Sequence, residues 1–238
     1  MVTGAASGIG RATVLRLASE GAAVIAVDVD EAGLTETRDL AVAGKVVTAV
    51  TDVSDEASTA AAVQLAIDSF GQLDVLANVA GILKFGHTHE FPLADWERLF
   101  AVNVTGTFLM SRAAIPHLLA TQGNIVNVAS TAGHAGNPWS AAYCATKGAI
   151  LALTRSIAVD YAQQGLRCNS VSPGSIDTPI TTAFHVPEGA DAKLIRRSMS
   201  LGPMGSPEGV AGAIAWMASD EARHLNGADI LFDGATLA

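Results

Sequence analysis

Short apolar runs alternate with amphipathic stretches along this chain. Ala22–Val27, Lys45–Val50, Leu73–Asn78, Gly123–Ala129, Arg167–Val171 and Ala228–Phe232 have the length and apolar content of buried strands. Between them, helical patterns cover Arg11–Ser19, Glu31–Leu40, Ser54–Phe70, Asp95–Leu119, Ala141–Gln164 and Pro207–Ser219. Val2 and Thr3, directly before a glycine-rich turn, predict a stunted first strand of about three residues. The alternation predicts an α/β fold: one doubly wound parallel sheet of about seven strands with helices on both faces, in a single domain over 1–238. The loops after Thr3, Val27, Val50, Ala77, Ala129 and Val171 then fall on the carboxyl edge of the sheet, where such folds gather ligands.

Some positions break the pattern. Asn103 sits inside the long Asp95–Leu119 helix, where an amide costs stability unless it holds a water or another group. Pro116, near that helix's far end, predicts a perturbed last turn or a kink. Residues 180–206 have no clear period and read as a substrate loop or lid. A first strand as short as Val2–Thr3 leaves neighbouring backbone groups unpaired, at about 1–3 kcal/mol for each one buried, and predicts either reduced stability or a gene start placed too late.

Half the residues are hydrophobic but only 5% are aromatic, so Ala, Val, Ile and Leu must fill the interior, as in buried parallel strands. Lys and Arg number 14 against 23 Asp and Glu, for a net charge of −9 with no basic run, which argues against nucleic acid as a partner. No stretch approaches the roughly 18 apolar residues of a membrane span, and MVTGAASGIG lacks the layout of a signal peptide, so cytoplasm is the default location. Cys144 and Cys168 have no CxxC spacing, and the six His form no HExxH array. Both cysteines read as small packed residues, and no metal is expected.

Two stretches carry chemistry. In Thr3-Gly4-Ala5-Ala6-Ser7-Gly8-Ile9-Gly10 the glycines let the backbone approach a ligand, and the helix start that follows favours phosphate oxygens. Asp28 follows Gly10 by 18 residues and ends a strand, the place of a carboxylate that accepts hydrogen bonds from an adenosine ribose. A carboxylate there repels a 2′-phosphate, favouring NAD over NADP; a plain cap on the next helix is the alternative. Further on, Tyr143 and Lys147 are an i, i+4 pair on one helix face, and Ser130 precedes them on a loop. A phenol beside an ammonium is drawn toward neutral pH and can exchange a proton with an alcohol or carbonyl oxygen.

These motifs, taken in order, resemble the short-chain dehydrogenase/reductase family over nearly the whole chain. Thr3 to Gly10 is similar to its TGxxxGxG turn, Asp52-Val53 to its adenine-contacting pair, and Asn78-Val79-Ala80-Gly81 to its NNAG loop, with Val79 in place of the second Asn. Asn103, Ser130, Tyr143 and Lys147 match the catalytic tetrad, and Pro173-Gly174 with Thr178 match the segment at the nicotinamide end. The resemblance implies a Rossmann-like sheet and an oxidoreductase that interconverts a secondary alcohol and a ketone. It assigns Tyr143 as acid/base, Lys147 as its tuning cation and ribose contact, Ser130 as the substrate-oxygen partner and Asn103 as the holder of a water. It implies cofactor contacts from Gly4, Ser7, Gly8, Ile9, Gly10, Asp28, Val29, Asp52, Val53, Asn78, Ala80, Gly81, Tyr143, Lys147, Pro173, Gly174, Ile176 and Thr178. A homotetramer or homodimer, formed through the two long helices and the last strand, is also implied. In the 180–206 loop Ile180, Phe184, Val186, Leu194, Ile195, Met199 and Leu201, with Trp139 nearby, suit a moderately hydrophobic substrate of 3-oxoacyl or 3-hydroxyacyl, steroid-like or polyol type. The competing reading is a non-catalytic dinucleotide-binding redox sensor or assembly protein.

Overall fold

The computed structural model describes residues 1–182, 187–191, 193, 194, 196 and 199–238. Seven parallel strands lie in the order β3-β2-β1-β4-β5-β6-β7. They are β1 (Val2–Thr3), β2 (Ala23–Asp28), β3 (Lys45–Val50), β4 (Val75–Asn78), β5 (Asn124–Val128), β6 (Arg167–Pro173) and β7 (Asp229–Phe232). The order reverses between β1 and β4, which opens a crevice above their carboxyl ends. Among the described residues eight α-helices connect the strands: α1 (Gly8–Ser19), α2 (Glu31–Leu40), α3 (Glu56–Phe70), α4 (Leu93–Phe100), α5 (Gly106–Thr121), α6 (Ala141–Tyr161), α7 (Pro179–Thr182) and α8 (Pro207–Ala218).

The sheet buries both faces. On one, Val14, Leu34, Val24, Val126, Ile214 and Met217 join α1, α2 and α8 to the strands. On the other, Ile25, Leu76, Ile125, Val63, Met110 and Leu118 do the same for α3 and α5. Fully burying a branched side chain of this size contributes about 1.5–3 kcal/mol, so the two apolar layers hold the sheet. Cys168 is buried in the second layer, and both cysteines are free thiols.

β1 has two residues, one fewer than its sequence suggests, yet it pairs on both sides. Val2 is in register with Ala26 and Ala77, and Thr3 with Val27. Met1 extends the pairing: its amine donates to the Val75 carbonyl at 2.7 Å, and its carbonyl accepts from Ala77 N at 2.9 Å.

The long helix expected over Asp95–Leu119 is two helices, α4 and α5, joined by a π-helical turn at Ala101–Thr105 that contains Asn103. Such turns widen the helix locally and recur at functional sites. α5 runs through Pro116, whose side is exposed. The cap of α3 is Asp55, which accepts from Ser58 N at 2.7 Å; Ser54 instead bonds the Asp52 carboxylate. α1 starts three residues early, at Gly8, because the glycine turn leads directly into helical geometry.

Candidate active site

The floor of the crevice is where the first strand meets the fourth. The Thr3 hydroxyl accepts from both Val79 N (2.9 Å) and Ala80 N (3.0 Å), fastening the Asn78–Gly81 loop to the end of β1. At Gly4 (φ +67°) a Cβ would stand 2.8 Å from the Ala80 backbone, and at Gly10 it would stand 1.9 Å from the Gly4 carbonyl oxygen. Only glycine fits these two places. The N-cap of α1, Ser7, makes no side-chain cap bond, so the first amides of the helix are left to face the crevice.

A cavity of about 450 Å³ extends from this floor. Gly4, Ser7, Gly8, Ile9, Gly10, Asp28, Val29, Asp52, Val53, Ala80, Gly81 and Thr178 all line it. Asp28 ends β2 with its carboxylate accepting from Ala6 N (3.0 Å) and Asp30 N (3.1 Å). It does not cap α2; Asp30 does, accepting from Gly33 N at 3.2 Å. Asp52 is held below the usual carboxylate range, first by its hydrogen bonds from Ser54 and then by the Arg98 charge. A glycine cradle, unsatisfied helix amides and a carboxylate at the far end fit a dinucleotide.

Asn78 is not among the lining residues: it lies buried beneath the loop, its Nδ2 donating to Asn127 Oδ1 (2.9 Å) and Ser111 Oγ (3.1 Å). As the last residue of β4 it faces the neighbouring strand, in register with Asn127, and the ligand-facing loop begins one residue later.

A second cavity, of about 310 Å³, continues from the first across Ile9, Val79, Gly81, Thr178 and Ile180. Ser130, Tyr143, Lys147, Pro173, Gly174 and Ile176 line it. Tyr143 and Lys147 lie on one face of α6, with the ammonium 5.6 Å from the phenol ring centroid. Lys147 is buried and donates to the Val128 carbonyl at 2.8 Å. Ser130, just beyond β5, accepts from Ala132 N at 3.1 Å. Burial pushes the phenol up to about 12, while the Ser130 hydroxyl pulls it down. Burial also lowers the Lys147 ammonium to about 8. The cation's pull expected on Tyr143 is not among the causes of its shift, which desolvation dominates.

Asn103 lies behind this wall. Its Oδ1 accepts from Ile82 N (2.8 Å), and its Nδ2 donates to the Ile82 carbonyl (2.9 Å) and to Thr146 Oγ1 (3.1 Å). Thr146 in turn donates to the Tyr143 carbonyl at 2.7 Å. A Cβ at Gly81 would meet Asn103 Oδ1 at 3.4 Å and Lys147 Nζ at 3.6 Å, so the amide and the ammonium flank one point of the floor.

The loop before α6 is fixed by His134, whose Nε2 lies 2.8 Å from Asp229 on β7. Trp139 takes a left-handed backbone (φ +55°) and its carbonyl accepts from Gly86 N at 2.8 Å, while its neighbours Asn137 and Pro138 line the cavity. Of the apolar loop residues, Ile180 and Met199 line the cavity, Leu194 and Leu201 are exposed, and Phe184, Val186 and Ile195 lie outside the described residues. Arg98 and Thr51 on the first cavity, and Leu83 and Phe85 on the second, carried no signal in the sequence because nothing about their spacing sets them apart. Among the described residues no cluster of His, Cys, Asp or Glu is placed to hold a metal ion, and no helix is long and apolar enough to cross a membrane.

A family model described as enoyl-(acyl carrier protein) reductase matches residues 4–235. The chain belongs to the short-chain dehydrogenase/reductase family. It is 42% identical to 2-(R)-hydroxypropyl-CoM dehydrogenase of Xanthobacter autotrophicus, over 100% of this chain and 98% of that one. It is 37% identical to meso-2,3-butanediol dehydrogenase of Serratia marcescens, over 100% of this chain and 94% of the other. Among solved structures, levodione reductase superposes with a TM-score of 0.90 at 33% identity, covering 98% of this chain and 94% of that one. This short-chain dehydrogenase/reductase is therefore an oxidoreductase by family.

Proposed function

We propose that this chain is an NAD(H)-dependent oxidoreductase that interconverts a secondary alcohol and a ketone on a moderately hydrophobic body. The observation that carries the reading is continuity: the cavity holding Tyr143, Lys147 and Ser130 opens directly into the one that ends on Asp28. The dinucleotide would lie along Gly4–Gly10, with Asp28 accepting from the adenosine ribose and Thr178 and Gly81 near the junction. When bound, its nicotinamide supplies or accepts the hydride.

The chain's own residues handle the proton. The phenol of Tyr143, with its pKa pushed up to about 12, holds its proton at neutral pH and is ready to protonate a carbonyl oxygen as that oxygen gains charge. In the reverse direction the Lys147 charge favours the phenolate that takes a proton from the alcohol. Ser130 donates to the same substrate oxygen, and Asn103 keeps Tyr143 and Lys147 in position through Thr146 and Ile82.

The names of the relatives, a butanediol dehydrogenase among them, support a small alcohol or ketone as substrate. Exposed Phe108 on α5, Val159 on α6 and Leu231 on the edge strand β7 support self-association through those elements, which sedimentation would detect as a dimer or tetramer. Following NADH formation and loss with a panel of secondary alcohols and ketones tests the activity. Turnover with NAD is the expected result; NADH binding without turnover of any substrate would reject it.

A further inference from the structure

Asp229 on β7 is a carboxylate largely shut away from water. Its side chain is 8% exposed, and the Ser170 and Ser172 hydroxyls of β6 both donate to its Oδ1. His134 Nε2 lies 2.8 Å from its other oxygen. Neither His134 nor Asp229 lines either of the two cavities, so the cluster stands behind the wall. An acidic group buried this deeply is costly unless its oxygens are bonded, so those bonds fix what surrounds it. The cluster is no nucleophile triad: one imidazole nitrogen meets both the Ser172 hydroxyl (3.2 Å) and the carboxylate, whereas a triad base uses one nitrogen for each.

What the cluster joins gives it a use. His134 ends the short 3₁₀ turn Thr131–Gly133, whose N-cap is Ser130. The turn is closed by Gly133 N donating to the Ser130 carbonyl (2.9 Å) and His134 N to the Thr131 carbonyl (3.0 Å). It is also wedged against α6, because a Cβ at Gly133 would stand 2.8 Å from the carbonyl carbon of Lys147. Ser130 therefore heads a turn that leans on the backbone of Lys147 at one point and is tied to β7 at another. Ser172, the other partner of Asp229, directly precedes Pro173 and Gly174, which line the same cavity as Ser130.

We propose that His134 and Asp229 are positioning residues: their bond holds the Ser130 hydroxyl where it and the Tyr143 phenol reach one substrate oxygen. The proposal rests on the oxidoreductase reading above, in which Ser130 donates to that oxygen. Steady-state rates on 2-butanol, butane-2,3-diol and cyclohexanol with NAD and with NADP, NADH fluorescence and amide hydrogen exchange test it. His134→Leu is expected to lower kcat by about 10- to 100-fold, the cost of a group misplaced by about 1 Å. NADH binding should stay within about threefold, since the turn is remote from the glycine cradle. Exchange at the Gly133 amide should quicken by about tenfold. His134→Gln, whose amide nitrogen can donate from the place of Nε2, should recover kcat to within about threefold of the native chain. In a Ser130→Ala chain the hydroxyl to be placed is gone, so His134→Leu should lower kcat no further. If His134→Leu fails to fold, Asp229→Asn serves: it can still accept from the serines but sets an amide donor against the imidazole, and should lose about tenfold in kcat. An undiminished kcat, a glutamine variant as slow as the leucine one, unchanged exchange, or losses that multiply in the double variant would overturn the proposal and leave the oxidoreductase standing. An unchanged kcat in Ser130→Ala, or no turnover of any of these alcohols by the native chain with either cofactor, would overturn the reading of the site and the proposal with it.

Discussion

Lys147 donates its ammonium to the Val128 carbonyl at 2.8 Å, so α6 is pinned by a buried charge to the strand that ends beside Ser130. Burial lowers this group from 10.5 to about 8. A cation with a depressed folded pKa carries its full penalty below pH 8 and is relieved as pH rises toward 10.5, because the unfolded chain then binds the extra proton. The stability of the protein minus that of Lys147→Met should therefore rise between pH 8 and 10.5, by on the order of 3 kcal/mol. Urea unfolding of both proteins at several pH values measures it; the Tyr143 contribution, common to both, cancels. A flat difference would show that the ammonium is not desolvated.

Asn103 satisfies the N–H and the carbonyl of Ile82 together. Asn103→Leu leaves both part-buried groups without this partner and should cost about 1–3 kcal/mol in denaturant unfolding. It should also lower kcat at least tenfold, since the loop over Gly81 and the Tyr143 turn lose their common anchor. An unchanged unfolding midpoint would contradict the first expectation, an unchanged kcat the second.

Tyr143→Phe removes the hydroxyl proposed to carry the proton and little else. Turnover should fall by about 10²- to 10⁴-fold, while NADH binding, followed by fluorescence, stays within a few-fold. Surviving activity would take the proton-transfer role away from Tyr143.

Asp28→Asn keeps the hydrogen-bond acceptor for Ala6 N or Asp30 N but removes the charge. The preference for NAD over NADP in a binding titration should shrink by about tenfold. If the native protein already favours NADP, the reading of Asp28 is wrong.

Gly10→Ala would force a methyl to within 1.9 Å of the Gly4 carbonyl oxygen. The turn must open, which should cost about 1–3 kcal/mol of stability and abolish detectable NADH binding. Full binding by this variant would mean that the glycine turn is not the phosphate cradle.

The sheet and the crevice were legible because their signals are local. Short apolar runs between helical periods could form only a parallel sheet, and Gly4, Gly8, Gly10, Asp28, Tyr143 and Lys147 line up on its carboxyl edge wherever the exact ends fall. What escaped was set across the sequence. Asn78 faces Asn127 because two distant strands fall into register, and Arg98 reaches the crevice only through the placement of α4. Asn103 was noticed as an amide out of place, but no periodicity signals a π turn that carries one residue more than the flanking helices. Trp139 attracted attention by its type, whereas the unremarkable Asn137 lines the cavity.

That surplus residue has a consequence for how the chain can vary. Deleting one position within Ala101–Thr105 would let the winding revert to 3.6 residues per turn, because the five residues of the wider turn cover about the same rotation as four of an ordinary helix, so α4 and α5 would keep the faces they present to the sheet. What would go is the bulge that carries the Asn103 amide onto Ile82. The chain can shed that residue and keep its packing, but not the bond between this turn and the loop over Gly81.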